Sequence, residues 1–228
     1  MDAVKKTNRM DTRKLATLGM LAALAFVVMC LSKFIPSVNG FLDFDFKDVV
    51  LCIGGFIYGP IAALMMTVVV CFLEMITVSH TDIIGCVMNI VATASFVCTA
   101  CAIYKRKHTM KGAVLGLLTA VVVLVVVMLA WNYFLTPLYM VGTSREDVAA
   151  MLLPIFLPFN AVKGGLNMTV TLLIYKPVVD ALRKAKLIPE STSHAAPIGA
   201  KKHLGMTIVI LFVFVSCVLF ALSLQGII

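Results

Sequence analysis

Residues 49–72 read VVLCIGGFIYGPIAALMMTVVVCF, and whether they make one helix or two decides the fold. The run is apolar and long enough to cross a bilayer once, since about 20 such residues suffice. Gly59-Pro60 interrupts it near the middle. Proline has no N–H to give and its ring collides with the preceding helical turn. A Gly-Pro pair is therefore a strong turn signal. The expectation is a helix over 49–58, a turn, and a second helix over 61–72, each short or tilted.

Working outward, apolar runs cover 15–32, 83–104, 112–134, 158–175 and 204–228. The 228-residue chain is 61% hydrophobic and 13% charged, with a mean hydropathy of +1.05. A soluble domain has no interior large enough for that apolar share. The chain reads as an all-α integral membrane protein. The first run follows a polar, basic arm and is longer than a usual signal core, so it reads as a retained helix. The organisation expected is a cytoplasmic arm over 1–14 and a membrane domain over 15–183. A polar linker over 184–203 and a further transmembrane helix over 204–228 follow.

The net charge of +8 follows the membrane, which speaks against a nucleic-acid partner. Lys5, Lys6, Arg9, Arg13 and Lys14 precede the first run. Lys105, Arg106, Lys107 and Lys111 lie between the fourth and fifth helices, and Lys176, Arg183, Lys184, Lys186, Lys201 and Lys202 follow the sixth. These are 15 of the 19 basic residues. The positive-inside rule puts them, and the N-terminus, in the cytoplasm. The alternation closes only if Gly59-Pro60 is a true reversal. Residues 33–48, 78–82 and 135–157 are then external segments. The first mixes aromatics with Asp43, Asp45 and Asp48, and its LDFDF alternates like a short strand. Glu74 reads as an interfacial carboxylate near the external surface.

Polar residues inside the sixth run, 157–167 (LPFNAVKGGLN), carry the functional signal. An ionisable residue at membrane depth is costly and ordinarily faces a cavity or a partner. Asn160, Lys163, Asn167 and Thr171 fall within an arc of about 80° on a helix turning 100° per residue. The amides offer donors and acceptors and the lysine offers a charge. Such a face can read the edge of a flat heterocycle with carbonyls and ring N–H groups; interhelical bonding is the alternative. Asn132, in the Trp131-Asn132-Tyr133-Phe134 block, Tyr139 after Pro137, and Asn89 are further polar points. Gly19 and Ala23 make a small-xxx-small pair on the first helix, suited to close helix approach.

Other chemistries lack their signatures. No phosphate loop, H-E-x-x-H or G-x-S-x-G motif is present, so the chain is expected to be neither an ATPase nor an enzyme. The four histidines form no metal pattern. Cys98 and Cys101 have C-x-x-C spacing inside an apolar helix, where thiols act as small apolar fillers.

Three blocks resemble the riboflavin-specific substrate-binding (S) components of energy-coupling factor (ECF) transporters: 42–64 (LDFDFKDVVLCIGGFIYGPIAAL), 132–139 (NYFLTPLY) and 157–167. The resemblance runs over about 15–183. Within 79–89, Thr81, Gly85 and Asn89 match while Asp82 departs. The resemblance implies a six-helix S-component bundle, to which 204–228 is an addition. It implies a riboflavin site on the external side. Asn132, Asn160 and Lys163 are the matching polar contacts, with Leu42, Asp45, Phe46, Asn89, Tyr139 and Asn167 around them. It implies a transmembrane T subunit and two ABC ATPases as partners, docked through Gly19 and Ala23. It implies no cofactor, riboflavin being cargo. An S component for another vitamin or flavin derivative, and an ion-coupled secondary transporter using Lys163 or Glu74, are the alternative readings.

Overall fold

The Gly59-Pro60 pair is a reversal. In the computed structural model, helix α2 (Lys47–Tyr58) ends at Gly59, whose φ of 95° lies in the left-handed region open to glycine, and Pro60 starts α3 (Pro60–Thr77). The structure describes residues 12–38, 42–78, 82–139, 144–185 and 200–226. The basic arm before Thr12, the 79–81 turn and most of the polar linker lie outside them, as does the side chain of Tyr139.

Around this hairpin stand α1 (Thr12–Ser32), α4 (Asp82–Arg106), α5 (Met110–Tyr139), α6 (Arg145–Met151), α7 (Leu157–Lys184) and α8 (Ala200–Leu224). Among the described residues, six helical segments are long and apolar enough to cross a membrane. Helix α2 is not among them. Its 12 residues extend about 18 Å at 1.5 Å each, against a hydrocarbon core of about 30 Å. It is instead the centre of the bundle. Residues 47–56 are all buried, and α1, α3, α4 and α7 pack round it. A helix apolar on every side belongs in such a position.

Glycine allows the approach. A Cβ on Gly55 would lie 2.2 Å from Cys101 Sγ and 2.8 Å from Ala63 Cβ; one on Gly54 would strike the Met66 side chain. The successive pairs Gly55–Ala63, Gly54–Met66 and Lys47–Glu74 show α2 and α3 running antiparallel. The turn lies at the end of the bundle that holds Lys14, over the Tyr58 ring at 5.6 Å, and Lys105. Lys47 lies at the other end.

The segment expected as an external loop over 135–157 is largely helical. Helix α5 continues through Pro137 to Tyr139. Ser144 and Asp147 then form a reciprocal capping box that starts α6. A π-helical turn, Leu152–Phe156, leads directly into α7, with the Leu157 N–H reaching the Leu152 carbonyl. Pro154 and Pro158 explain the widening, since neither can donate to the turn before it. The LDFDF segment forms no strand; an isolated bridge between Val38 and Leu42 precedes an irregular approach to α2.

Helix α8 packs antiparallel on α7. A Cβ on Gly165 would meet Cys217 Sγ at 3.0 Å. Ala221, with Phe214 and Leu224 beside it, joins Phe159, Val162 and Leu166 of α7 and Val38 and Phe44 of the 33–46 segment in one apolar cluster. Beyond the helix, Gln225 Nε2 donates to the Pro36 carbonyl. The outer face of α8, with Val209, Phe212 and Leu219, is exposed like those of α3 and α5, as a lipid-facing surface would be.

Candidate functional site

The polar face of α7 is folded against the segment leading into α2. Asn160 and Asn167 are 3% and 1% exposed and Thr171 is fully buried, with Lys163 half-buried among them. Asn167 Nδ2 donates to the Asp45 carbonyl at 3.0 Å and, at 3.4 Å, to Asp48 Oδ2. Lys163 Nζ stands 3.5 Å from the Asp43 carbonyl. Asn160 lies on the same face, but its amide donates to the Phe156 carbonyl at 2.8 Å. Thr171 donates to its own helix, at the Asn167 carbonyl.

Beneath this face lies a buried ionic network. Lys47, 1% exposed, pairs with the Asp45 carboxylate and, at 3.0 Å, with Glu74 Oε2. Lys33 extends the chain, 2.9 Å from Asp43 and 3.5 Å from Glu74. Asp48 accepts from Thr93 Oγ1 at 2.8 Å. Burial pushes the Asp45 carboxyl up, but the Lys47 and Lys163 charges and the Lys47 hydrogen bonds outweigh it, holding Asp45 below its ordinary value. For Lys33 burial acts downward and is overcome by Asp43, with Glu74 adding to it, so its pKa is raised.

This corrects the expectation for Glu74: it is no surface carboxylate but 2% exposed and bonded to two lysines. Asp45 and Asp48 likewise meet side chains of the helices. Desolvated charges must be matched by partners, and the antiparallel hairpin supplies them: Lys47 and Glu74 lie at nearly equal distances along the chain from Gly59-Pro60. That symmetry was the available signal for Lys47. Thr93, one helix further away, carried none.

The other expected residues are placed as follows. Leu42 is half-buried in the bridge to Val38. Phe46, also half-buried, caps α2 and packs on two apolar clusters, its N–H donating to Ser32 Oγ. Asn132 is buried on α5 and accepts from Thr136. Asn89 is half-buried on α4. Neither is joined to the Lys163 group by a hydrogen bond among the described residues. Gly19 and Ala23 lie on the exposed face of α1, and a Cβ on Gly19 would meet nothing within 4 Å. Among the described residues no trio of His, Cys, Asp or Glu is placed to hold a metal ion.

One atom of the α7 face is left over. Asn167 Oδ1 is buried and has no hydrogen-bond partner, while the Nδ2 of the same amide is engaged. An unpaired buried acceptor is expensive. With a lysine on the same helix face, it is an unmet acceptor next to a cationic donor, a pair that a polar ligand edge can satisfy.

An apolar helical bundle with such a polar patch at one end defines a membrane-embedded binding subunit. The chain belongs to the ECF transporter substrate-specific component family, whose model matches residues 13–175. It is thus a multi-pass component of a transport system and not an enzyme. It is 34% identical over 189 residues to the riboflavin transporter RibU of Staphylococcus aureus (strain TCH60), covering 81% of this chain and all of that one. It is 29% identical to the riboflavin transporter FmnP of Bacillus subtilis (strain 168), covering 78% of this chain and again all of the relative. Its fold is similar to a solved structure described as the S component of a bacterial ECF transporter. The TM-score is 0.64 at 34% identity, over 76% of this chain and 99% of that one.

Proposed function

We propose that this chain captures riboflavin at the external face of the cell membrane for ATP-driven uptake by partner subunits. The observation that carries this is the unpartnered Asn167 Oδ1 beside Lys163 on one face of α7. The uracil-like edge of the isoalloxazine presents a ring N–H between two carbonyls. The N–H satisfies the free acceptor, and a carbonyl takes the lysine. The family resemblance assigns the rest of that edge to Asn160 and Asn132. Apolar side chains, among them Phe46, suit the dimethylbenzene end. The names of the two relatives, both riboflavin transporters, point the same way.

Titration of riboflavin into the purified protein in detergent, followed by quenching of flavin fluorescence, tests this. Saturable one-to-one quenching is expected. A well-folded sample that does not quench would rule riboflavin out and call for a screen of other vitamins and flavin derivatives. The ion-coupled alternative is weakened by Glu74, which two lysines hold.

The distribution of basic residues supports a cytoplasmic N-terminus. The partners are taken to be a transmembrane T subunit and two ABC ATPases. The bare Gly19–Ala23 face of α1 suits close approach by another helix. Gly19→Leu and Ala23→Leu are therefore expected to leave flavin affinity unchanged and to reduce uptake in cells by about tenfold or more, a coupling loss of about 1.4 kcal/mol. Normal uptake in both variants would move the docking face elsewhere.

A further inference from the structure

We propose that Lys47 is a positioning residue for the substrate site: it holds the 43–46 segment in register with the polar face of α7. The inference rests on the reading of that face as the riboflavin site. It goes beyond that reading, because the Lys47 ammonium bonds Asp45 and Glu74 of α3 and is not one of the residues placed on the polar face of α7.

The geometry is a clamp on Asp45. From one side Lys47 Nζ takes its carboxylate, and the Lys47 backbone N–H donates to Asp45 Oδ1 at 2.9 Å. From the other side Asn167 Nδ2 takes its backbone carbonyl at 3.0 Å. The Lys47 ammonium is in turn anchored on α3 by Glu74 at 3.0 Å. So a side chain on α3 fixes, through one lysine, the backbone that orients Asn167 on α7. The carbonyl two residues earlier, of Asp43, is the one that Lys163 faces. The opposite end of the segment is tied by Lys33 to Asp43 and to the same Glu74. No covalent or helical constraint does this work, since 43–46 carries no regular structure. A lysine this buried is tolerated only because it is paired. The placement of its two carboxylates on two different elements makes the pairing a tether as well as a neutralisation.

The two roles separate experimentally. Glu74→Gln keeps the Lys47–Asp45 pair and leaves an amide oxygen to accept from Lys47 Nζ; it is expected to bind riboflavin within about threefold of the parent, because the clamp on Asp45 and its anchor on α3 both persist without the second charge. The double variant Lys47→Met/Glu74→Gln removes one buried charge of each sign. It is expected to bind about tenfold more weakly, mainly through faster release, because the segment is no longer preorganised. In the ligand-free protein, amide hydrogen exchange over 43–46 is expected to accelerate in the double variant but not in Glu74→Gln, with α5 unchanged in both. If the double variant matches Glu74→Gln in exchange and in affinity, Lys47 only neutralises charge and the proposal fails. If the parent protein does not bind riboflavin, that assignment fails, while the exchange comparison still decides whether Lys47 positions the segment.

Discussion

Lys163→Ala is expected to weaken riboflavin binding by about 10- to 100-fold while the protein stays folded. A hydrogen bond to a charged group contributes about 1.5–3 kcal/mol, and each 1.4 kcal/mol is a factor of ten. The fold should survive because Lys163 is not a keystone of the ionic network. Its recorded hydrogen bond is a long one, to the Asp43 carbonyl at 3.5 Å. The Asp45 carboxylate retains Lys47, and Asp48 retains Thr93 and Asn167. Flavin-fluorescence titration beside a thermal melt in detergent separates affinity from stability. An unchanged dissociation constant would remove Lys163 from the site. Asn167→Ala is a poorer probe, because it also cuts the bond that holds the Asp45 backbone.

Gly55→Leu is expected to abolish folded protein. The first added carbon alone would sit 2.2 Å from Cys101 Sγ and 2.8 Å from Ala63 Cβ, both on packed, buried positions. Extra methylenes in a well-packed core cost about 1–3 kcal/mol, and more when the backbone must shift. Here α2 is enclosed by four helices and has no lipid-facing side to move toward. Gly55→Ala should lower the melting temperature, and Cys101→Ala in the same chain should recover part of the loss by vacating the nearer contact. Gly205→Ala, where nothing lies within 4 Å, is the control. A Gly55→Leu protein that elutes as a sharp, thermally stable peak would contradict the packing of α2.

Much of this architecture is local in origin and so was legible early. The Gly59-Pro60 reversal needs only a left-handed φ and a missing N–H, both properties of two adjacent residues. The shared face of Asn160, Lys163, Asn167 and Thr171 needs only the pitch of a helix. The helices of the membrane bundle follow from runs of apolar residues that have no other solvent. Where local signals were present but went unused, as in the Ser144–Asp147 capping box, an expected loop proved to be helix.

The rest was decided by contacts between residues far apart in the chain. Little beyond their similar spacing from Gly59-Pro60 announces that Glu74 will neutralise Lys47; the pair exists because α3 folds back along α2. Asp45 looks like a loop carboxylate until the segment is laid on α7 and its carbonyl meets Asn167. The 204–228 run is apolar and long enough to span, but only its packing against Gly165 and the Gln225–Pro36 bond place it beside the polar-faced helix α7. The sequence by itself determined which segments form apolar helices, where the hairpin turns and which face of α7 is polar, because those depend on solvation and backbone geometry within a few residues. The tertiary structure alone decided which charges meet and which amide oxygen is left without a partner, because buried electrostatics depends on distances that only the assembled bundle sets.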